Sequence, residues 1–378
     1  MGKPRIVCVV GTRPDTIKTA PVVRELRRFS DQAETILVAT GQHREMLAQA
    51  LAAFDLVADH DLAIMQHGQT LAQVTCRAME GLDNLFAELK PDYVIAQGDT
   101  STTFVAALTA FYRQIPFGHV EAGLRTDTVK NPFPEEFNRR AAAIVTEHHF
   151  PPTQWSAQNL IREGYAPETM FVTGNTGIDA VLAIAEKEKQ TWLPDHSGRV
   201  VLLTTHRREN WGDPQRRIAR AARELVERYP DVALVVAMHR NPTVREVLTE
   251  ILGGHERIHL IEPPDYAPFV KLMQRSTLIL TDSGGVQEEA PAFGKPVLVL
   301  RDTTERPEGV EAGAARLVGT NYEQILEESC LLLEDHAAYE RMAQTVSPYG
   351  DGRAAQRIRH VVLGSFGIDS PSEAMWAS

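Results

Sequence analysis

The chain has 378 residues, 39 basic and 50 acidic, for a formal charge of −11, with 43% apolar and 24% charged side chains. That length suits about two globular domains of roughly 100 to 200 residues each, and the composition weighs against wholesale disorder. The net negative charge weighs against non-specific binding of nucleic acid or an anionic membrane. No apolar run approaches the ~18 residues of a membrane span, and the N-terminal run from Ile6 to Gly11 reads as a strand rather than a signal peptide, so a cytoplasmic protein is expected.

Short apolar runs at Arg5–Val10, Thr35–Ala39, Tyr93–Ala96, Phe117–Val120 and Met170–Val172 predict buried strands separated by helices. In the segment from Asp15 to Phe29, for example, Ile17, Val22, Leu26 and Phe29 fall near helical spacing. A turn-rich break at 194–198 precedes a second series of strands at Val200–Thr204, Ala233–Met238, Ile258–Ile261, Leu278–Thr281 and Pro296–Leu300. Strand and helix in this alternation predict an α/β chain of two Rossmann-like, doubly wound domains, over residues 1–175 and 176–350, with a central cleft. Residues 351–378 are expected to form a helix that packs back on the first domain, then a frayed tail.

Doubly wound sheets bind ligands beyond the carboxyl ends of their strands, so the informative residues follow strands. After the first comes Gly11-Thr12-Arg13-Pro14-Asp15-Thr16-Ile17-Lys18, a glycine turn into a helix whose Arg13 and Lys18 suit a phosphate, although a solvated first turn explains them as well. The spacing is not that of an NAD-binding turn. In the second half, Ser283-Gly284-Gly285 opens a helix with Glu289 one turn on, and Arg306 lies in the loop after the next strand. Small residues there let backbone N–H groups approach a phosphate, and Glu289 suits the hydroxyls of a ribose, while a tight turn with a helix cap is the competing explanation. His206, followed by two arginines, comes directly after the first strand of this half, and Phe269 is either an aromatic wall for a base or core.

A third set is acidic: Asp99 and Glu121 after strands, and Glu135 and Glu136 at a helix start. Crowded carboxylates raise one another's pKa, which suits a group that must give and take protons, whereas Glu135 and Glu136 equally suit the dipole of a first helical turn. Three scattered cysteines, Cys8, Cys76 and Cys330, suggest buried thiols, neither a disulfide framework nor a thiolate metal site. No metal-ligand spacing surrounds His148, His149 or His239, so no metal is expected.

Taken together, GTRPDTIKTAPVV (11–23), GQHREML (41–47), QGDTSTT (97–103), GHVEAGLRT (118–126), PEEFNR (134–139), TGNTGIDA (173–180), HRRENWG (206–212), the long run 281–308 and PYGDG (348–352) resemble the non-hydrolysing UDP-N-acetylglucosamine 2-epimerases, nearly end to end. The resemblance implies a glycosyltransferase B-like fold and a homodimer. It implies UDP-N-acetylglucosamine and UDP contacts at Arg13, Lys18, Asp99, Glu121, His206, Phe269, Ser283, Gly284, Gly285, Glu289 and Arg306, with Asp99, Glu121, Glu135 and His206 in the chemistry. It implies elimination of UDP to 2-acetamidoglucal and re-addition, which needs no cofactor, in the supply of surface polysaccharide precursors. Some relatives bind a second substrate molecule through a segment that here keeps Gln42 but has Glu45 and Gly68 at two other positions, and a carboxylate facing a diphosphate repels it. Pro264 stands where some relatives place a glutamine on the uracil. The rivals are a hydrolysing 2-epimerase that releases UDP and N-acetylmannosamine, a glycosyltransferase of the same fold, and a non-catalytic UDP-sugar sensor. The three carboxylates argue against the last two.

Overall fold

Six parallel strands form the first sheet: β1 (Arg5–Val10), β2 (Glu34–Ala39), β3 (His60–Asp61), β4 (Tyr93–Gln97), β5 (Phe117–Val120) and β6 (His148–Phe150), in the order β3-β2-β1-β4-β5-β6. The structure, a computed structural model, describes residues 2–41, 44–66 and 68–377, the side chains of 44–46 excepted. A second sheet has the same winding, β12-β11-β10-β7-β8-β9, from β7 (Arg199–Thr204), β8 (Val232–Ala237), β9 (Ile258–Ile261), β10 (Leu278–Thr281), β11 (Val297–Val299) and β12 (Ala315–Leu317). In each sheet the first strand runs between neighbours whose connections leave in opposite directions, which is where such folds open a crevice. Helices between the strands cover both faces, so the central strands are apolar along their length: Ile6 to Val10 and Val200 to Leu203 are at most 1% exposed.

The chain divides into two units, Met1–Ala180 with Tyr349–Ser378, and Val181–Pro348. The first boundary thus falls inside the helix Thr176–Lys187 rather than before it. The C-terminal helix Ala354–Gly364 belongs to the first unit and packs on the helix Arg13–Arg27. Arg359 reaches the buried Glu25 of that helix at 2.9 Å.

Three expectations need correction. Residues 170–172 are not a strand: Met170 makes one isolated bridge to His149, and the sheet's edge is instead His148–Phe150, whose polar look hid it. The tail is not frayed. Trp376 is 8% exposed, packs with Ala157 and Val172 and donates its amide to Val172 O at 2.9 Å, while Arg357 Nε holds Ala374 O at 2.6 Å. One large apolar side chain near the end of the chain is enough to fasten it. Cys8 and Cys330 are buried as expected, but Cys76 is exposed.

Candidate active site

In the first unit, three loops meet at the carboxyl ends of β1, β4 and β5. Gly11 ends β1 because nothing larger fits: a Cβ there would lie 2.0 Å from Thr102 Oγ1. Thr12 then caps the helix Arg13–Arg27, with Asp15 reaching back to the amides of Gly11 and Thr12 at 3.2 and 2.8 Å. Asp15 also accepts from Thr100, which ties the loop after β1 to the loop after β4. Burial pushes its carboxyl up to about 6, against those hydrogen bonds. The sequence displayed Asp15 in its motif, but the capping role emerges only with the loop.

Glu121 follows β5 with φ +62°, a left-handed backbone that costs a non-glycine residue free energy and is concentrated where function requires it. Its carboxylate takes Lys18 Nζ at 2.5 Å on one oxygen and Gln97 Nε2 on the other, with Asn175 Nδ2 at 3.4 Å. Gly98 turns beside it with φ +78°, and a Cβ there would approach Glu121 Oε2 to 3.6 Å. Asp99 is paired in turn with Arg139 at 2.6 Å, while Asn138 Nδ2 donates to the Asp99 carbonyl at 2.9 Å. These two contacts pin the helix Glu135–Ile144 to the end of β4.

The adjacent glutamates at the start of that helix have different fates. Glu136 is fully buried and holds Arg140, Arg139 and the Thr126 amide at 2.6, 3.1 and 3.2 Å, a structural assignment. Glu135 is half-buried, and among the described residues no hydrogen bond or ion pair engages it. The carboxylates at Asp99 and Glu121 are therefore each met by a cation, where the sequence suggested mutual crowding. Beneath them His119 Nε2 holds Gly98 O at 2.7 Å, and burial pushes this imidazole down to about 4, so the ring is neutral.

In the second unit the ends of β7 and β10 open a cavity of about 230 Å³ lined by Thr205, His206, His239, Pro264, Phe269 and Ser283, among others. Ser283 is the N-cap of the helix Gly284–Glu289 but makes no side-chain cap, and its own amide is taken by Thr281 Oγ1 at 3.0 Å. A Cβ at Gly284 would lie 2.9 Å from the guanidinium carbon of Arg306 and would displace that side chain. Arg306 is steadied by Glu288 at 2.8 Å, and Glu289 accepts the Tyr266 hydroxyl at 3.2 Å. The structure thus brings Ser283, Gly284 and Arg306 together, with His206 and Phe269 on the walls of the neighbouring cavity. Asp282, which carried no role in the sequence reading, is buried beside His206, with Oδ1 3.0 Å from the ring's Nδ1.

Arg13 is the first residue of its helix, and Gly285 follows Gly284. Gln42 and the side chain of Glu45 lie outside the described residues, and Gly68 has φ +71°. Among the described residues no three His, Cys, Asp or Glu side chains are grouped to hold a metal, and no helix is long and apolar enough to cross a membrane.

The sequence profile of a family described as UDP-N-acetylglucosamine 2-epimerase matches residues 24–363. The UDP-N-acetylglucosamine 2-epimerase of Bacillus subtilis strain 168 is 47% identical over 369 residues, 97% of each chain. A crystal structure of UDP-GlcNAc 2-epimerase from Neisseria meningitidis, bound to UDP-GlcNAc, is similar with a TM-score of 0.84 and 44% identity, covering 95% of this chain and 100% of that one. The Methanocaldococcus jannaschii UDP-GlcNAc 2-epimerase, in complex with UDP-GlcNAc and UDP, is similar with a TM-score of 0.76 and 34% identity, covering 96% of this chain and 100% of that one.

Proposed function

The chain belongs to the UDP-N-acetylglucosamine 2-epimerase family, and we propose that it interconverts UDP-N-acetylglucosamine and UDP-N-acetylmannosamine without hydrolysis. The observation that carries this reading is Glu121: a carboxylate on a left-handed backbone at the end of β5, held by Lys18, Gln97 and Asn175. A module that only bound a nucleotide sugar could dispense with Asp99, Glu121 and Glu135, and all three carboxylates are present.

The proton on carbon 2 of the sugar is not acidified by a neighbouring carbonyl. Departure of UDP first makes carbon 1 electron-deficient, and the carbon 2 proton then becomes removable. The C1–O bond breaks with its electron pair leaving on the diphosphate, a carboxylate takes the carbon 2 proton, and the C–H pair forms the C1=C2 bond of 2-acetamidoglucal. Protonation on the opposite face and return of UDP to carbon 1 complete the inversion. Asp99, Glu121 and Glu135 are the acid and base candidates, with Arg139 and Lys18 holding two of them in place. In the second unit, Arg306, His206 and the backbone N–H groups after Ser283 suit the departing diphosphate. Phe269 and the cavity it lines suit the uracil, and Glu289 the ribose. No cofactor enters this scheme.

The ligands of the Neisseria and Methanocaldococcus structures, UDP-GlcNAc and UDP, support the same substrate class. A homodimer is proposed as well, on the exposed apolar surface of the helices Ser101–Tyr112 and Glu135–Ile144, where Phe111, Phe137 and Ile144 are 56, 50 and 73% exposed. A cytoplasmic role in supplying N-acetylmannosamine units for surface polysaccharides completes the proposal. Incubation with either UDP-sugar, followed by anion-exchange separation, tests it. Approach to one equilibrium mixture from both sides, without stoichiometric free UDP, is expected. Accumulation of UDP and free N-acetylmannosamine would reassign the protein to hydrolysis, and bound but unconverted substrate would favour a glycosyltransferase or a sensor over an epimerase.

A further inference from the structure

Asp282, fully buried at the end of β10, gathers the loop that follows β7. The Thr205 hydroxyl, the backbone amides of His206 and Arg207 and the Asn210 side-chain amide all donate to its carboxylate, at 2.9 to 3.1 Å. Asn210 spends the same amide on Leu300 O at 3.1 Å and is itself buried, so the loop is fixed at both ends. All of these partners are donors, which suits an ionised, acceptor-only carboxylate. Burial works against that charge, but hydrogen bonds from the His206 ring and the loop amides hold the carboxyl below its ordinary range.

The His206 ring is the remaining partner. Its Nδ1 lies 3.0 Å from Asp282 Oδ1, while 40% of the side chain stays exposed and forms part of the cavity wall. The His239 ring stacks on it at 5.9 Å and 27°. An acceptor-only oxygen at that distance calls for a proton on Nδ1, which leaves Nε2 for a ligand. A neutral ring would offer a phosphate oxygen only a lone pair. To bind a phosphate, which has acceptors alone, the ring must carry a second proton.

We infer that Asp282 is a positioning residue for His206: it fixes the ring plane and the proton on Nδ1, so that a nucleotide phosphate at this cavity is met by a doubly protonated imidazole donating from Nε2. The second proton passes from solvent to Nε2 as the anion binds, forming the N–H that donates to the phosphate, and Asp282 balances the ring's charge. The inference rests on the proposed function only in naming the anion as a nucleotide phosphate.

The test uses the whole protein with ¹⁵N-labelled histidine, the His206 signals being identified by their loss in His206→Gln. Without ligand, a protonated Nδ1 is expected; with UDP, both nitrogens should appear protonated. The opposite tautomer in the free protein, or an Nε2 that stays unprotonated with UDP bound, would overturn the inference. These readings need no variant at Asp282. In titrations, Asp282→Asn should weaken UDP about tenfold in the native background and add little to His206→Gln. Additive losses would mean that Asp282 acts only through the fold. Failure to bind UDP at all would count against the nucleotide reading alone, and the tautomer of the free protein would still decide the role of Asp282.

Discussion

Lys18 and Glu121, 103 residues apart in the chain, meet at 2.5 Å with side-chain exposures of 19 and 8%. The pair joins the helix after β1 to the end of β5, so the cation and the base candidate are set by the same sheet. Glu121→Gln keeps the shape and removes the base. Its kcat should fall by about 10² to 10⁴ while UDP binding changes little. Lys18→Met should lower both kcat and UDP affinity. Steady-state rates and calorimetric titration distinguish the two, and an E121Q protein with near-native turnover would shift the proton chemistry to Asp99 or Glu135.

Arg306 lies against Gly284, where a Cβ would push its guanidinium aside, with its Nε on Glu288. Its replacement by alanine is expected to weaken UDP by about 10- to 100-fold, the range of a lost charged hydrogen bond, with the fold retained. Arg306→Lys should recover only part of the loss, because an ammonium lacks the planar fork. Full recovery with lysine would mean that charge alone matters there.

The end of the chain is a stability element. Trp376 fills a site against Ala157 and Val172, with the Arg357 guanidinium 5.8 Å from its ring centroid. Trp376→Ala should cost about 3 to 5 kcal/mol in urea unfolding, in the range of other large aromatic deletions. A cost below about 1 kcal/mol would return the tail to the solvent-exposed state that its Ser- and Pro-rich sequence suggests.

His119 gives a pH dependence of known sign. Its ordinary value of 6.5 is pushed down to about 4, so below 6.5 the unfolded chain binds a proton that the folded one refuses. This contribution to stability is complete above 6.5 and is lost as the pH falls toward 4. Asp15, raised to about 6, works in the opposite sense, contributing stability at low pH that is lost as the pH rises through that value. The useful quantity is therefore the difference between the native protein and His119→Gln. The cost of this substitution should be about 2 kcal/mol smaller near pH 5 than near pH 7. An equal cost at both pH values would show that the native ring takes up a proton as readily as the unfolded one.

The parts of the fold legible in the sequence are those governed by local pattern. Continuous apolar runs at Arg5–Val10 and Val200–Thr204 can only be strands covered on both faces, and Gly11, directly after the first of them, marks a turn where no side chain fits. The sixth strand was hidden because His149, buried and neutral in the sheet, looks polar on paper. Burial has pushed its imidazole down to about 3, and only the packing around it shows that. The same limit applies within the site. Nothing local distinguishes Glu135 from Glu136, and it is Arg139, Arg140 and the Thr126 amide that commit Glu136 to structure. Asp282 could not be read either, since its partners at positions 205–210 lie more than seventy residues away.

The most direct experiment is proton NMR of UDP-N-acetylglucosamine with the protein in deuterated water. Deuterium appearing at carbon 2 of both UDP-sugars, with little free UDP, is the expected result, because elimination and return exchange that one hydrogen with solvent. Epimerisation that keeps the original hydrogen at carbon 2, or conversion ending in free N-acetylmannosamine and UDP, would contradict it.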